Sequence, residues 1–141
     1  MHGWDYSQAG LKQMERHCSL QKIEVNQRCI DLVKTSWPNQ QFDLICVTAF
    51  LDRALCPQIV SHLKPGGMLV YQTFNQVTAI AGERLSKPRR SQLLLSPGEL
   101  LMLFRDLEPL VYHDEQELTP LGHPLAGKAF LIARKPKPAE F

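Results

Sequence analysis

Two aspartates, the residues that end one apolar run, and a short basic cluster are the groups here with chemistry to offer. Asp5 stands just before Tyr6 and Ser7, and Asp31 follows a stretch in which Ile23, Val25, Gln27 and Cys29 alternate. Each acid sits where a strand would end. A carboxylate at such a place can accept hydrogen bonds from a ligand, or it can be a solvated residue ahead of a helix or in a turn, favoured by the helix dipole. Thr48, Ala49 and Phe50 follow the run at 42–48, and ligands of open α/β sheets bind beyond the carboxyl ends of the strands. Phe50 suits a pocket wall and a core equally. Arg53 can bind an anion or cap a backbone carbonyl. Lys87, Arg89 and Arg90 form the one local basic cluster, which would attract an anionic small molecule or a phosphate; a solvated loop is the plainer reading.

The same census excludes other chemistry. Cys18, Cys29, Cys46 and Cys56 show no CxxC spacing and read as reduced thiols. His17 and His62 end helices, while His113 and His123 lack metal-ligand spacing. Neither a metal site nor a catalytic triad is predicted.

The elements that must hold these residues centre on 42–74. The nearly unbroken apolar run at 42–48 reads as a parallel strand buried on both faces. A helix over 54–63 follows, with Leu55, Ile59 and Leu63 in step and Pro57 early, where backbone N–H groups are spare. Lys64-Pro65-Gly66-Gly67 stops it, and 68–74 is the next strand. Strand, crossover and strand make a right-handed unit, so the fold class is α/β. Upstream, His2-Gly3-Trp4 is short for a strand end, Ser7 caps a helix from 8 to about 18, and 22–30 is a strand. Downstream, 75–95 is a long loop, and Ser96-Pro97-Gly98-Glu99 begins a helix with serine as N-cap and glutamate closing a capping box. Segments 109–113 and 128–134 pair antiparallel as a closing hairpin, and 135–141 is a frayed tail.

At 141 residues, 44% apolar and 21% charged, the chain reads as one domain. A net charge of +2 without a basic face argues against nucleic acid. The sequence has neither the regions of a signal peptide nor an apolar run long enough to span a membrane, so a cytoplasmic location is expected.

This order of elements resembles a class I S-adenosylmethionine-dependent methyltransferase. Gly3-Trp4-Asp5-Tyr6-Ser7 is similar to the end of that family's second strand, and Asp31 to the acid closing its third. Phe42-Asp43-Leu44-Ile45 is similar to the fourth-strand motif, and Leu63-Lys64-Pro65-Gly66-Gly67 to the turn before the fifth. Phe50-Leu51-Asp52-Arg53 and Ser96-Pro97-Gly98-Glu99-Leu100-Leu101 resemble the small bacterial, tellurite-resistance-like branch, where Asp52 replaces a frequent histidine. The resemblance implies a Rossmann-like sheet in the order 3-2-1-4-5-7-6 with S-adenosylmethionine as cofactor. Asp5 would take both ribose hydroxyls, and Tyr6 would pack on the adenine or ribose. Asp31 and the Leu32 backbone would meet the adenine amino group, and Thr48 would approach the sulfonium. Phe50, Arg53, Arg89 and Arg90 would face a small-molecule substrate. Orienting and desolvating the reactants does most of the work of methyl transfer, so a missing acid–base pair is no objection.

The family's first strand and its glycine-rich loop have no counterpart, and no GxG occurs anywhere in the sequence. That loop lets the backbone approach the amino-acid end of the cofactor. The expectation is therefore an N-terminally truncated sheet with an unpaired apolar edge at 42–48, and a chain that is weak or inactive by itself. The alternative is a non-catalytic remnant that binds or dimerises through that edge. A nicotinamide-dependent Rossmann enzyme also has an acid after its second strand, but the KPGG turn and the closing hairpin argue against it.

Overall fold

The computed structural model describes residues 1–76, 91–114 and 127–138. Where the sequence reads as one domain, the residues group into two compact units, Met1–Asn39 and Gln40–Phe141, each with its own sheet.

The first unit is strand, helix, strand: β1 (His2–Asp5), α1 (Gln8–Leu20) and β2 (Asn26–Cys29). The three residues that look too short for a strand do form one. β1 and β2 pair in parallel, Gly3 against Gln27 and Asp5 against Cys29. Ser7 caps α1 as predicted, its Oγ accepting from Gly10 N at 3.2 Å. β2 is shorter than the predicted 22–30 because the chain first closes the end of the helix. Lys22 takes φ 54° and Ile23 N donates to Cys18 O at 2.9 Å, so the alternation at Ile23 and Val25 belongs to chain that has not yet joined the sheet. Leu11 and Cys18 are buried. At Gly3 the helix and strand pack closely: a Cβ there would lie 2.1 Å from Met14 Cε, so the end of that side chain would have to move.

The second unit is a four-stranded sheet in the order β3-β4-β6-β5. Its elements are β3 (Phe42–Thr48), a 3₁₀ turn (Arg53–Leu55), α2 (Cys56–Ser61), β4 (Leu63–Phe74), a second 3₁₀ turn (Ser91–Leu93), α3 (Glu99–Leu103), β5 (Glu108–His113) and β6 (Lys128–Arg134). β3 and β4 are parallel, and β6 runs antiparallel to both β4 and β5. In the numbering of the resemblance these strands reproduce the 4-5-7-6 portion of the expected order, and β2-β1 reproduces the 3-2 portion. The closing hairpin is confirmed.

Several boundaries differ from expectation. The Lys64–Gly67 turn lies within the span of β4, and the register jumps from Phe42↔Leu63 to Leu44↔Met68. The turn's chemistry still operates there. Gly66 sits at φ 79°, and a Cβ on Gly67 would be 2.8 Å from Lys64 O and 3.0 Å from Phe42 O. α2 ends two residues before 63 because Leu63 enters the ladder. Gly98, in the left-handed region, is the N-cap of α3 in place of Ser96, although Glu99 Oε2 does accept from Ser96 N at 2.8 Å. Lys135 is anchored, unlike the frayed tail expected of it: its Nζ donates to Val60 O and Leu63 O at 2.9 and 2.8 Å. Of the predicted 75–95 loop, 77–90 lies outside the described residues, and Asn75 bridges to Leu95.

The core lies on one face of this sheet. Leu69 and Tyr71 of β4 and Leu131 of β6 are fully buried together with Leu100 of α3, and the Tyr71 and Phe104 rings lie 5.2 Å apart. The expectation that β3 is buried on both faces is overturned. Every β3 residue is exposed or half-buried, and Leu44 is 54% exposed. Among the described residues β3 is the edge strand of this sheet, and its side chains lack the enclosure of Leu69, Tyr71 and Leu131.

Candidate functional site

In the first unit the two acids meet at one end of the sheet. β1 and β2 are parallel, so Asp5 and the chain leading to Asp31 leave from the same carboxyl end, held in step by Ile30 N donating to Asp5 O at 3.0 Å. Asp5 is exposed. Its Oδ1 accepts from Ser7 N at 2.8 Å, which fixes the carboxylate over the start of α1. Oδ2 accepts no hydrogen bond among the described residues. Gly10 leaves it room, since a Cβ there would stand 3.1 Å from Oδ2. Tyr6 beside it is 78% exposed, an aromatic face without a partner ring among the described residues.

Asp31 closes an Asx turn, its Oδ1 accepting from Val33 N at 3.1 Å, with Lys34 Nζ 3.5 Å from Oδ2. Leu32 O accepts from Trp37 Nε1 at 3.2 Å, and the Trp37 ring meets Trp4 edge-on at 5.5 Å. The loop that carries Asp31 and Leu32 is thereby tied back to β1. One carboxylate oxygen of Asp5 without a hydrogen-bond partner among the described residues, the Asp31 carboxylate beside Lys34 and the exposed Tyr6 ring thus stand in the same unit.

In the second unit, Thr48 is exposed at the carboxyl end of β3. Ala49 follows in the left-handed conformation at φ 54°, unusual for a residue with a Cβ and held by Ala49 N donating to Gln72 O at 2.9 Å. Phe50 is half-buried, and its carbonyl accepts from Tyr71 OH at 2.9 Å. Burial pushes the Tyr71 phenol far above its ordinary range, so it stays a neutral donor.

Arg53 is committed within the chain. Its Nε and Nη2 donate to Glu99, its Nη1 donates to Gln92 O at 2.6 Å, and Nη2 donates to Leu94 O at 3.1 Å. The Glu99 hydrogen bond raises the Arg53 pKa, and the Arg53 hydrogen bond lowers that of Glu99. The carbonyl-capping reading is what the structure displays. Lys87, Arg89 and Arg90 lie outside the described residues. Among the described residues no cluster of three or more His, Cys, Asp or Glu could hold a metal, and no helix is long and apolar enough to cross a membrane.

Two features were not read from the sequence. Glu99 is the partner of Arg53 across 46 positions. Asp114, just past β5, gathers Asn75, Gly98 and Tyr112. Neither has a local sequence signal.

No protein-family model matches this chain, and no curated protein sequence matches it. Solved structures do. TehB from Haemophilus influenzae superposes with a TM-score of 0.68 at 15% identity, over 95% of this chain and 49% of that one. A S-adenosylmethionine-dependent methyltransferase from Clostridium acetobutylicum gives 0.66 at 12% identity, over 96% and 74%. The N-methyltransferase NodS from Bradyrhizobium japonicum, in complex with S-adenosyl-L-homocysteine, gives 0.60 at 16% identity, over 96% and 78%. This chain thus spans about half the length of the Haemophilus protein. Its fold is that of the class I S-adenosylmethionine-dependent methyltransferases.

Proposed function

We propose that this chain is the greater part of a methyltransferase domain that binds S-adenosylmethionine and methylates a small molecule. The observation that carries the reading is Asp5: a carboxylate at the end of β1 with one oxygen fixed by Ser7 N and the other free beside Gly10. A carboxylate held this way accepts strong hydrogen bonds from vicinal hydroxyls. Asp31 and the Leu32 backbone take the adenine amino group, and Tyr6 covers the ring or the ribose. When bound, the cofactor supplies an electrophilic methyl group on a sulfonium. By the family resemblance alone, Thr48 is assigned to the methyl end and Phe50 to the substrate side, where their task would be to orient the reactants and exclude water. Arg53 serves through the 92–99 chain that it holds, and the charges of Arg89 and Arg90 would favour an anionic substrate. With no GxG in the sequence, the methionine end has no close-approach loop among these residues, and activity of the chain alone is expected to be weak.

Calorimetry with S-adenosylhomocysteine tests the reading. Measurable binding that weakens at least about tenfold in Asp5→Asn is expected, a change of about 1.4 kcal/mol. A folded chain that binds none, alone or with upstream in-frame codons added, overturns it.

A second reading has its own observation. β3 is an edge strand with Leu44 54% exposed, a surface that pairs with other strands. A non-catalytic module that dimerises there would show a concentration-dependent mass in analytical ultracentrifugation, lost on placing lysine at Leu44.

A further inference from the structure

β3, β4 and β5 all run the same way, since β6 is antiparallel to both of its neighbours. Their carboxyl ends therefore share one edge, the ligand side of an open α/β sheet. Beyond β4 and β5 at that edge stand Asn75 and Asp114, and between them is the most unusual polar grouping of this unit.

Asn75 is 1% exposed. Its Nδ2 donates to Asp114 Oδ1 at 3.0 Å, while its Oδ1 is buried without a hydrogen-bond partner. The amide cannot be turned round to relieve this, because an ionised Asp114 only accepts. A buried amide oxygen left alone loses the hydrogen bonds it would make to water and gains none in return. Asp114 is half-buried and takes Gly98 N at 2.9 Å and Tyr112 OH at 2.8 Å on Oδ2. Gly98 can present its N–H there because it holds φ 73°. All three donors to Asp114 are neutral, and no cation pairs with it among the described residues. Burial and the Asp114 hydrogen bond push the Tyr112 phenol well up, so it stays a neutral donor.

Counting lone pairs defines what is missing. A carboxylate has about four acceptor positions and an amide oxygen two. Three of the four on Asp114 are filled and both on Asn75 are open, which leaves three acceptors around one uncompensated negative charge. A primary ammonium offers three N–H donors and one positive charge. A metal ion fits poorly, because all three groups already aimed at the carboxylate are donors.

We infer that Asn75 and Asp114 bind the protonated amine of a small molecule at the carboxyl end of β4. Within the methyltransferase reading, on which this rests, the amine anchors the substrate and is not the atom methylated: held as an ammonium, it has no lone pair with which to attack.

The test uses the 141-residue chain, labelled with nitrogen-15, at neutral pH. Ethanolamine, present as its ammonium ion, and ethylene glycol, its neutral counterpart, are titrated while the Asn75 side-chain amide signals are followed. Saturable shifts at least ten times tighter for ethanolamine are expected. Asp114→Asn should abolish that preference. Should Asp114→Asn not fold, Tyr112→Phe, which frees one further lone pair while keeping the carboxylate, should retain or increase it. Equal response to both probes, or to neither, means that the amide oxygen holds only water and overturns the inference.

S-adenosylhomocysteine, itself an amine, separates the two sources of an ammonium. Simultaneous binding with ethanolamine assigns the site to a substrate, and mutual displacement assigns it to the cofactor. If S-adenosylhomocysteine binds in an Asp5-dependent way and ethanolamine does not bind, the amine site fails while the methyltransferase reading stands.

Discussion

The two units solve opposite problems. Gln40–Phe141 builds a sheet of four strands whose buried face is fully occluded, with Leu63, Leu69, Tyr71, Leu95, Leu100 and Leu131 at the bottom of it. Met1–Asn39 pairs only two four-residue strands and buries little beyond Leu11 and Cys18. A two-stranded sheet with one helix is marginal alone, because it cannot bury enough apolar surface to offset the entropy of ordering it. Yet the smaller unit carries Asp5, Tyr6, Asp31 and Leu32. On the proposed reading, the acids that would hold the nucleoside stand on the weaker frame, and the stronger frame offers the strand ends where a substrate would sit. That division of stability from ligand chemistry can be tested one residue at a time.

Cavity-making substitutions give the largest contrast. Leu69→Ala or Leu131→Ala should cost about 2–5 kcal/mol, the range for fully enclosed leucines, as read from urea unfolding. Leu11→Ala should fall at or below the bottom of that range, since its surroundings are thin and can close in. Equal costs would mean that the first unit has a core of comparable quality, and the contrast would fail.

Arg53 comes next. Arg53→Met removes the ion pair with Glu99 and uncovers the carbonyls of Gln92 and Leu94; lost hydrogen bonds of charged groups cost about 1.5–3 kcal/mol, reduced here by the partial exposure of the pair. The pH dependence has a definite sign. Glu99 has a lower pKa folded than its ordinary 4.5, first because of Arg53. The pair's stabilisation is therefore complete above the unfolded value and disappears as pH falls through the lower folded one. Thermal melts of the native chain should drop in the acid range below that value, and Glu99→Gln should flatten that drop.

The glycines sharpen the contrast at smaller scale. Both Gly3 and Gly67 lack room for a Cβ, but the obstacles differ. At Gly67 they are the backbone oxygens of Lys64 and Phe42, whereas at Gly3 it is the end of the Met14 side chain. Gly67→Ala should cost about 1–3 kcal/mol, typical of overpacking against atoms that cannot move. Gly3→Ala should cost less, because Met14 can rotate away. Chemical denaturation of the pair decides it, and a costlier Gly3→Ala would show that the thin unit is as rigid as the thick one.

What could be read in the sequence divides along the same line. β5 and β6 are legible because the apolar run within Lys128–Arg134 and the Pro/Gly-rich reversal before it are local signals, and the Ser7 cap is legible for the same reason. The sequence of β3 predicts burial on both faces because Phe42–Thr48 is largely apolar on both. Side-chain polarity reports what a strand would accept on each face. It does not report whether a second layer lies there, and here Leu44 and Cys46 face outward. The sequence starts α3 early because Ser96 and Glu99 spell a capping box; the Ser96 N–Glu99 bond does form, but Gly98 takes the cap itself through its positive φ. The carboxylate ends at Asp5 and Asp31 were legible as positions, and the structure brings them to one edge. Arg53–Glu99 and Asn75–Asp114 were not legible, since their partners are 46 and 39 residues apart and meet only through the topology of the sheet.

The smallest expected effect bears most directly on the division itself. If the nucleoside acids occupy the marginal unit, ligand binding should stabilise that unit in particular. At ten times its dissociation constant, a ligand that binds only the ordered form adds about 1.4 kcal/mol. Amide hydrogen exchange with and without S-adenosylhomocysteine should show slowing of about tenfold in β1, the start of α1 and the turn after β2. The amides of Leu69, Tyr71 and Leu131 already report the opening of a closed core and should change little. Uniform slowing through both sheets would mean that the chain opens as one cooperative body. Slowing confined to β4 and β5 would move the ligand to the Asn75 end and leave Asp5 as a solvated acid ahead of its helix.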